Sequence, residues 1–394
     1  MSWSIDKAKL DRVRALMKDQ DISALVCRAP DNVLYLTNYW CMKGYDAVVF
    51  PREGEPTLIA LEPQQADAER NSWTKDILYF KGYDERDPRP PQFRAFDRAF
   101  DVLKQRGLTD KVAVELNMGT QSADRMVGEP TTFVMSYFES FKKFCAHVID
   151  ATPLLNEARA IKTAQEIERM KLANELAALA MDHTREHMQP GMKESEVGGM
   201  YESFVHGLGV GYKGKVEMAR AFTLVWSGKG IATFTATGDR PIQKNEPTLF
   251  EIWVCVDGYW TDLTKNACPG ELTPEYNTLL DLLLKVFNEG VAFARDGASF
   301  PDLDRLIRAR IAEGGYAGQP SHPICHGVGA RAHEFPYAHQ AGTGTMRKNM
   351  VLAIEPGIYW PGGGGLRLED NFLLTETGNE KLCTDPDDFR LAKR

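Results

Sequence analysis

The chain lacks most features that would send it to a specialised class. Its seven cysteines stand singly at 27, 41, 145, 255, 268, 325 and 383, with no CxxC pair, which excludes a disulfide framework and points to a reducing compartment. No apolar run approaches the roughly 18 residues of a membrane helix. The opening residues Met1 to Lys7 contain no basic region leading into an apolar stretch, so no signal peptide is expected and a cytoplasmic location is. Basic charge is also short. Lys and Arg number 47 against 55 Asp and Glu, a net charge of −8, which argues against a nucleic-acid backbone as partner. Gly362 to Gly365 are four glycines in a row, but no Lys-Ser/Thr or helix start follows, so a flexible loop is expected there rather than a phosphate cradle.

At 394 residues the chain exceeds one ordinary domain, and the pattern predicts two, 1–155 and 156–394. Strand candidates Ile22 to Cys27, Ala47 to Phe50, Thr57 to Leu61, Ile77 to Phe80 and Val112 to Leu116 follow an amphipathic helix at Asp6 to Asp19, which predicts a smaller N-terminal α/β sandwich. In its loop Tyr39, Trp40 and Tyr45 stand as candidate functional residues or as surface packing. A linker is expected over Ala151 to Glu157. Beyond it, Thr163 and Glu166 are spaced as a capping box for a helix reaching His187, and Thr273 to Asp296 repeats the helical period. The second domain reads as α+β.

Five metal-type side chains recur in that second domain: Glu251, Asp262, His326, Glu355 and Glu369. Pro247 to Cys255 and Tyr259 to Asn266 read as strands joined by Asp257-Gly258, a favoured two-residue turn, which sets Trp253 opposite Asp262 and Glu251 diagonally beside it. Facing carboxylates repel unless a proton or cation neutralises them. His326 lies in an apolar run ending in alternate glycines, Ile324-Cys325-His326-Gly327-Val328-Gly329, where backbone can approach a ligand closely. His333 follows in His333-Glu334-Phe335-Pro336. Glu355 ends the apolar strand Val351 to Ile354 before a Pro-Gly breaker, and a half-buried acid needs a partner. In Leu366-Arg367-Leu368-Glu369-Asp370-Asn371, alternation puts Leu366, Leu368 and Asp370 on one face and Arg367, Glu369 and Asn371 on the other. Arg367 is read either as a substrate-carboxylate binder or as a salt bridge to a neighbouring acid. Cys255 and Cys325 are read as small core residues.

Taken together, these motifs resemble the pita-bread superfamily of methionine aminopeptidase, aminopeptidase P, prolidase and creatinase. Asn32 to Asn38, Arg159-Ala160-Ile161-Lys162 and Pro190-Gly191-Met192-Lys193-Glu194 are similar to its two-domain creatinase and prolidase branch. The resemblance implies a C-terminal pita-bread catalytic domain, and a paired divalent metal site (manganese, zinc, cobalt or iron) held by Glu251, Asp262, His326, Glu355 and Glu369. It implies metal-assisted C–N bond hydrolysis by a metal-bound hydroxide, with His333 steadying the oxyanion and Glu355 shuttling the proton. It also implies an Xaa-Pro dipeptide or other small-molecule substrate, no nucleic-acid or membrane partner, and a homodimer in which Trp40 reaches the neighbour's site. Two positions depart from the family pattern. Glu251 stands where its peptidases usually have Asp, and Thr235 stands where they place a histidine, a donor commonly worth ~3 kcal/mol in a transition state. Both bear on the substrate, so a creatinase- or ectoine-hydrolase-like C–N hydrolase or lyase with an altered or metal-free site, and a non-enzymatic peptide-binding module, are the other readings.

Overall fold

The computed structural model describes residues 3–41, 44–116, 135–232, 236–360 and 363–392. The chain divides into two compact units, Met1–Arg159 and Ala160–Arg394.

In the first unit the order is α1 (Lys7–Asp19), β1 (Ala24–Cys27), α2 (Pro30–Thr37), β2 (Ala47–Pro51), β3 (Thr57–Leu61), α3 (Gln65–Asn71), β4 (Ile77–Phe80), α4 (Pro91–Gln105), β5 (Lys111–Val114), α5 (Met135–Phe144), β6 (His147–Asp150) and α6 (Thr152–Ala160). The strands form one mixed six-stranded sheet, β4-β3-β2-β1-β5-β6. Its strands are short apolar runs because both faces are covered. Leu25, Cys27, Val48, Phe50, Leu58 and Ala60 face one core cluster, while Ala24, Val26, Ala47, Val49 and Ile59 face another. The expected linker at Ala151 to Glu157 is instead the start of α6. Ala151, Leu154, Leu155 and Ala158 make a helical stripe buried against the sheet, which is why this segment is no tether. Tyr39 is core rather than exposed, and its hydroxyl donates to Gln64 Oε1 at 2.8 Å.

The second unit contains α7 (Ala164–His187), α8 (Glu194–Gly209), β7 (Ala219–Ser227), β8 (Thr248–Val256), β9 (Tyr259–Trp260), β10 (Leu263–Ala267), α9 (Pro274–Phe293), α10 (Phe300–Glu313), β11 (Cys325–Gly327), β12 (Glu334–Tyr337), β13 (Val351–Ile354), β14 (Gly357–Trp360), β15 (Gly364–Arg367), β16 (Asp370–Leu374) and β17 (Asn379–Lys381). Thr163 and Glu166 close the capping box of α7. One sheet runs β10-β8-β7 with β9 beside β8, another runs β12-β11-β13-β16-β17, and β14 pairs with β15. A bridge between Thr264 and Glu369 joins the first two sheets. Leucines 279, 280 and 283 of α9 pack with Leu303 and Ile307 of α10 beneath the second sheet, forming the unit's main core.

Of the glycine run, Gly362 lies outside the described residues, and the described part is not a free loop. Gly364 and Gly365 begin β15, where a Cβ on Gly365 would lie 2.6 Å from Ile358 O. The alternate glycines after His326 also serve packing. A Cβ on Gly327 would meet Phe335 O at 2.5 Å, and one on Gly329 would meet Glu334 Oε1 at 2.3 Å, so it is β12 and its side chain that approach the backbone here.

Candidate metal centre and active site

The hairpin turn has both residues in the left-handed region, Asp257 at φ 45° and Gly258 at φ 86°, as a primed two-residue turn requires. Register then runs from Val256–Tyr259 through Ile252–Leu263 to Glu251–Thr264. Asp262 therefore falls opposite Trp253, and Glu251, Trp253, Asp262 and Thr264 share one face. The second sheet contributes the rest. His326 pairs with Ala353 in β11–β13, Glu355 follows directly on β13, and Glu369 lies between β15 and β16. Leu366 and Leu368 point into the core while Arg367, Glu369 and Asn371 turn to the site.

Three overlapping sets emerge: Glu251, Asp262 and Glu369; His326, Glu355 and Glu369; and Asp262, His326 and His333, with ligand atoms in each set within 4.8 Å of one another. His326 Nε2 lies 3.5 Å from both Asp262 Oδ2 and Glu355 Oε1, and His333 Nε2 is 3.2 Å from Asp262 Oδ2. The donor set fits hard divalent cations on two grounds. His326 Nδ1 faces the Gly327 carbonyl at 3.0 Å, which assigns the proton to Nδ1 and leaves buried Nε2 without a hydrogen-bond partner among the described residues. Four buried carboxylates also share the site with one guanidinium, that of Arg367, an excess of negative charge that burial makes costly.

Electrostatics keeps the imidazoles in their ligating form. Burial holds His326 and His322 below the ordinary histidine value, and burial together with neighbouring His326 lowers His333. Burial, then the charge of Glu369, pushes the Glu355 carboxyl well above the usual range. Arg367 is buried under the site. It binds Glu251, donates to Thr264 Oγ1 at 2.5 Å and stands 3.7 Å from Glu369 Oε2, so its guanidinium braces acids, the salt-bridge alternative of its sequence reading. Trp40 is a partly buried residue of the first unit. Thr235 lies outside the described residues.

Several residues escaped the sequence reading. His322 has Nδ1 2.6 Å from the Pro323 carbonyl and 3.3 Å from Glu355 Oε2, and Nε2 3.0 Å from the Tyr359 hydroxyl, so its ring lies between Glu355 and Tyr359. A histidine four residues before His326 was the available signal. Thr264 donates to Glu369 Oε2 at 2.7 Å, and Asn371 clasps the Asp262 backbone from both sides. Lys162 reaches Glu334, next to His333, at 2.7 Å.

Comparison with known proteins agrees with this geometry. Residues 168–376 match the model of metallopeptidase family M24, and residues 9–161 match the creatinase/prolidase N-terminal domain. An Xaa-Pro dipeptidase of Pyrococcus furiosus is 25% identical over 377 residues, covering 95% of this chain and 97% of that protein. A putative dipeptidase of Bacillus subtilis is 26% identical over 386 residues, covering 97% and 99%. Among solved structures, the prolidase from Pyrococcus horikoshii superimposes with a TM-score of 0.79 at 23% identity, covering 97% of this chain and all of that one, a likeness of fold. With the catalytic-domain match spanning more than half of the sequence and the carboxylate–histidine cluster inside it, the chain belongs to metallopeptidase family M24, joined to a creatinase/prolidase N-terminal domain, and is a metal-dependent hydrolase of peptide-type C–N bonds.

Proposed function

We propose that the chain is an Xaa-Pro dipeptidase-like enzyme that uses two divalent ions, of which manganese, zinc, cobalt and iron suit the donors. The observation that carries this reading is the overlap of the ligand sets on Glu369, Asp262 and His326, which suits two adjacent ions better than one. Glu251, Asp262 and Glu369 would hold one ion, and His326, Glu355 and Glu369 the other. When bound, the ions supply Lewis acidity and a nucleophile at neutral pH. Glu355 moves a proton toward the leaving nitrogen, with His322 Nδ1 beside its Oε2 at 3.3 Å. His333 stands at the edge of the cluster with 30% of its side chain exposed, where its ring can donate to the carbonyl oxygen as charge develops there. Arg367 and Thr264 hold Glu251 and Glu369 in place. The same reading puts the enzyme in a reducing cytoplasm, where its seven free cysteines stay unpaired, as a homodimer with Trp40 near the neighbour's site.

The test is hydrolysis by chelated protein reloaded with each metal, on a panel of Xaa-Pro dipeptides, other dipeptides and ureido or acetamido amides. Xaa-Pro cleavage that vanishes on chelation and returns with metal supports the proposal. Turnover confined to the non-peptide amides would overturn it in favour of a creatinase-like reaction.

A further inference from the structure

The wall of the site on the side of His333 carries a donor that no described residue accepts. Trp253 shares a strand face with Glu251 and stands opposite Asp262 in the hairpin, so its side chain belongs to the wall that carries the acids. Phe222 is its partner in the β7–β8 register, and the two rings stack at 5.6 Å with 24° between planes. The His333 ring lies 6.4 Å from that of Trp253, tilted by 54°. Trp253 is only 8% exposed, and its Nε1 has no hydrogen-bond partner among the described residues. The indole of Trp73, by contrast, donates to the Trp3 carbonyl at 2.8 Å. A buried N–H without an acceptor loses its hydration and gains nothing in return, so such groups are rare and call for an explanation.

The explanation follows from what an indole can do. It is a donor only, so its missing partner is an acceptor. The Phe222–Trp253 stack also fixes the ring in one orientation, which is how a binding group is pre-organised. We infer that Trp253 is a substrate-positioning and specificity-determining residue, its indole N–H donating to a carbonyl or carboxylate oxygen of the substrate while the Phe222–Trp253 stack bounds the pocket as an apolar wall. The inference rests on the dipeptidase-like reading and deepens it: the substrate is small, carries an oxygen acceptor that the indole N–H can reach, and offers an apolar group, such as a saturated ring, to the wall. Hydrogen bonding to the bound substrate adds ground-state and transition-state affinity alike, so it belongs in KM rather than kcat.

The experiment compares wild-type protein with Trp253→Phe, which keeps a ring and removes only the donor. On whichever Xaa-Pro dipeptide is cleaved, KM should rise about tenfold with kcat held within about threefold. In the zinc-loaded, 15N-labelled protein the Trp253 indole resonance, identified by its loss in W253F, should shift when proline is added as the product probe. An unchanged KM, or a resonance that stays put at saturating proline, overturns the inference while leaving the dipeptidase-like reading intact. If no dipeptide is cleaved at all, that reading has failed by itself; the intact dipeptide then serves as the probe, and a shifted indole resonance supports the role of Trp253 whereas an unmoved one ends it. Should W253F not fold, Trp253→His identifies the resonance equally well and, by returning a ring N–H, should bring KM back to within threefold of wild type.

Discussion

Replacing Lys162 by Met tests how the site is braced from behind. Lys162 Nζ meets Glu334 Oε1 at 2.7 Å, with the two side chains 1% and 4% exposed. There is no slack around the pair, since a Cβ on Gly329 would already lie 3.0 Å from Lys162 Cε and 2.3 Å from Glu334 Oε1. Methionine matches the length of the lysine stem but removes the cation, leaving a carboxylate in a place where water has no room. Breaking a buried pair from one side costs about 3–5 kcal/mol, a large share of a domain's ~5–15 kcal/mol. Removing both charges, as in Lys162→Met with Glu334→Leu, deletes the desolvation cost along with the attraction. That double variant should sit within about 1–2 kcal/mol of wild type, recovering roughly 1–4 kcal/mol of the single variant's loss. Urea unfolding followed by circular dichroism reads the stability. Because Glu334 immediately follows His333, the single variant should also lose activity by roughly tenfold or more through misplacement of that ring. A single variant within about 1 kcal/mol of wild type, or a double variant as unstable as the single, would refute the reasoning.

Three further perturbations have defined signs. Burial pushes the Asp46 carboxyl up to about 6 against the hydrogen bond from Leu61 N, so the folded state holds its proton more tightly than the unfolded chain does. That contribution is present below about pH 4 and is lost as pH rises through about 6, on the order of 3 kcal/mol; Asp46→Asn should flatten this part of the stability–pH curve, and parallel curves for the two proteins would contradict it. Gly329→Ala drives a Cβ into the Lys162–Glu334 pair and should destabilise by about 1–3 kcal/mol, whereas Gly199→Ala, in α8 with nothing within 4 Å, should stabilise by about 0.5–1 kcal/mol; thermal melts that show the same sign for both would be inconsistent. Thr264→Val removes the hydroxyl that Glu369 accepts from and Arg367 donates to, and competition with a chelating dye should show metal affinity reduced by roughly 10–100-fold, with wild-type affinity the contrary result.

The parts legible in the sequence are those fixed by near neighbours. The capping box at Thr163, the primed turn at Asp257-Gly258 and the strands Thr57–Leu61 and Ile77–Phe80 each depend on a few consecutive residues. Strand alternation then placed Glu251 and Asp262 on one face, because register propagates from the turn. What sequence could not supply is the partner chosen across long separations. Lys162 and Glu334 are 172 positions apart, and Arg367 finds Thr264 over 103. The Gly-Val-Gly segment was read as an opening for a ligand because glycine signals close approach without naming what approaches; here it is β12. The linker misreading at 151–157 came from taking the domain change as a break in structure, although the Ala-Leu-Leu-Ala stripe was already there to be counted.

The measurement that bears most directly on the account is metal content by elemental mass spectrometry, on protein purified without a metal-affinity tag, dialysed, reloaded with manganese or zinc and washed, beside Glu355→Ala treated identically. The account requires about two ions per wild-type chain and a clear deficit in the variant. Wild-type protein that retains no metal after reloading would contradict the assignment of Glu251, Asp262, His326, Glu355 and Glu369 as ligands.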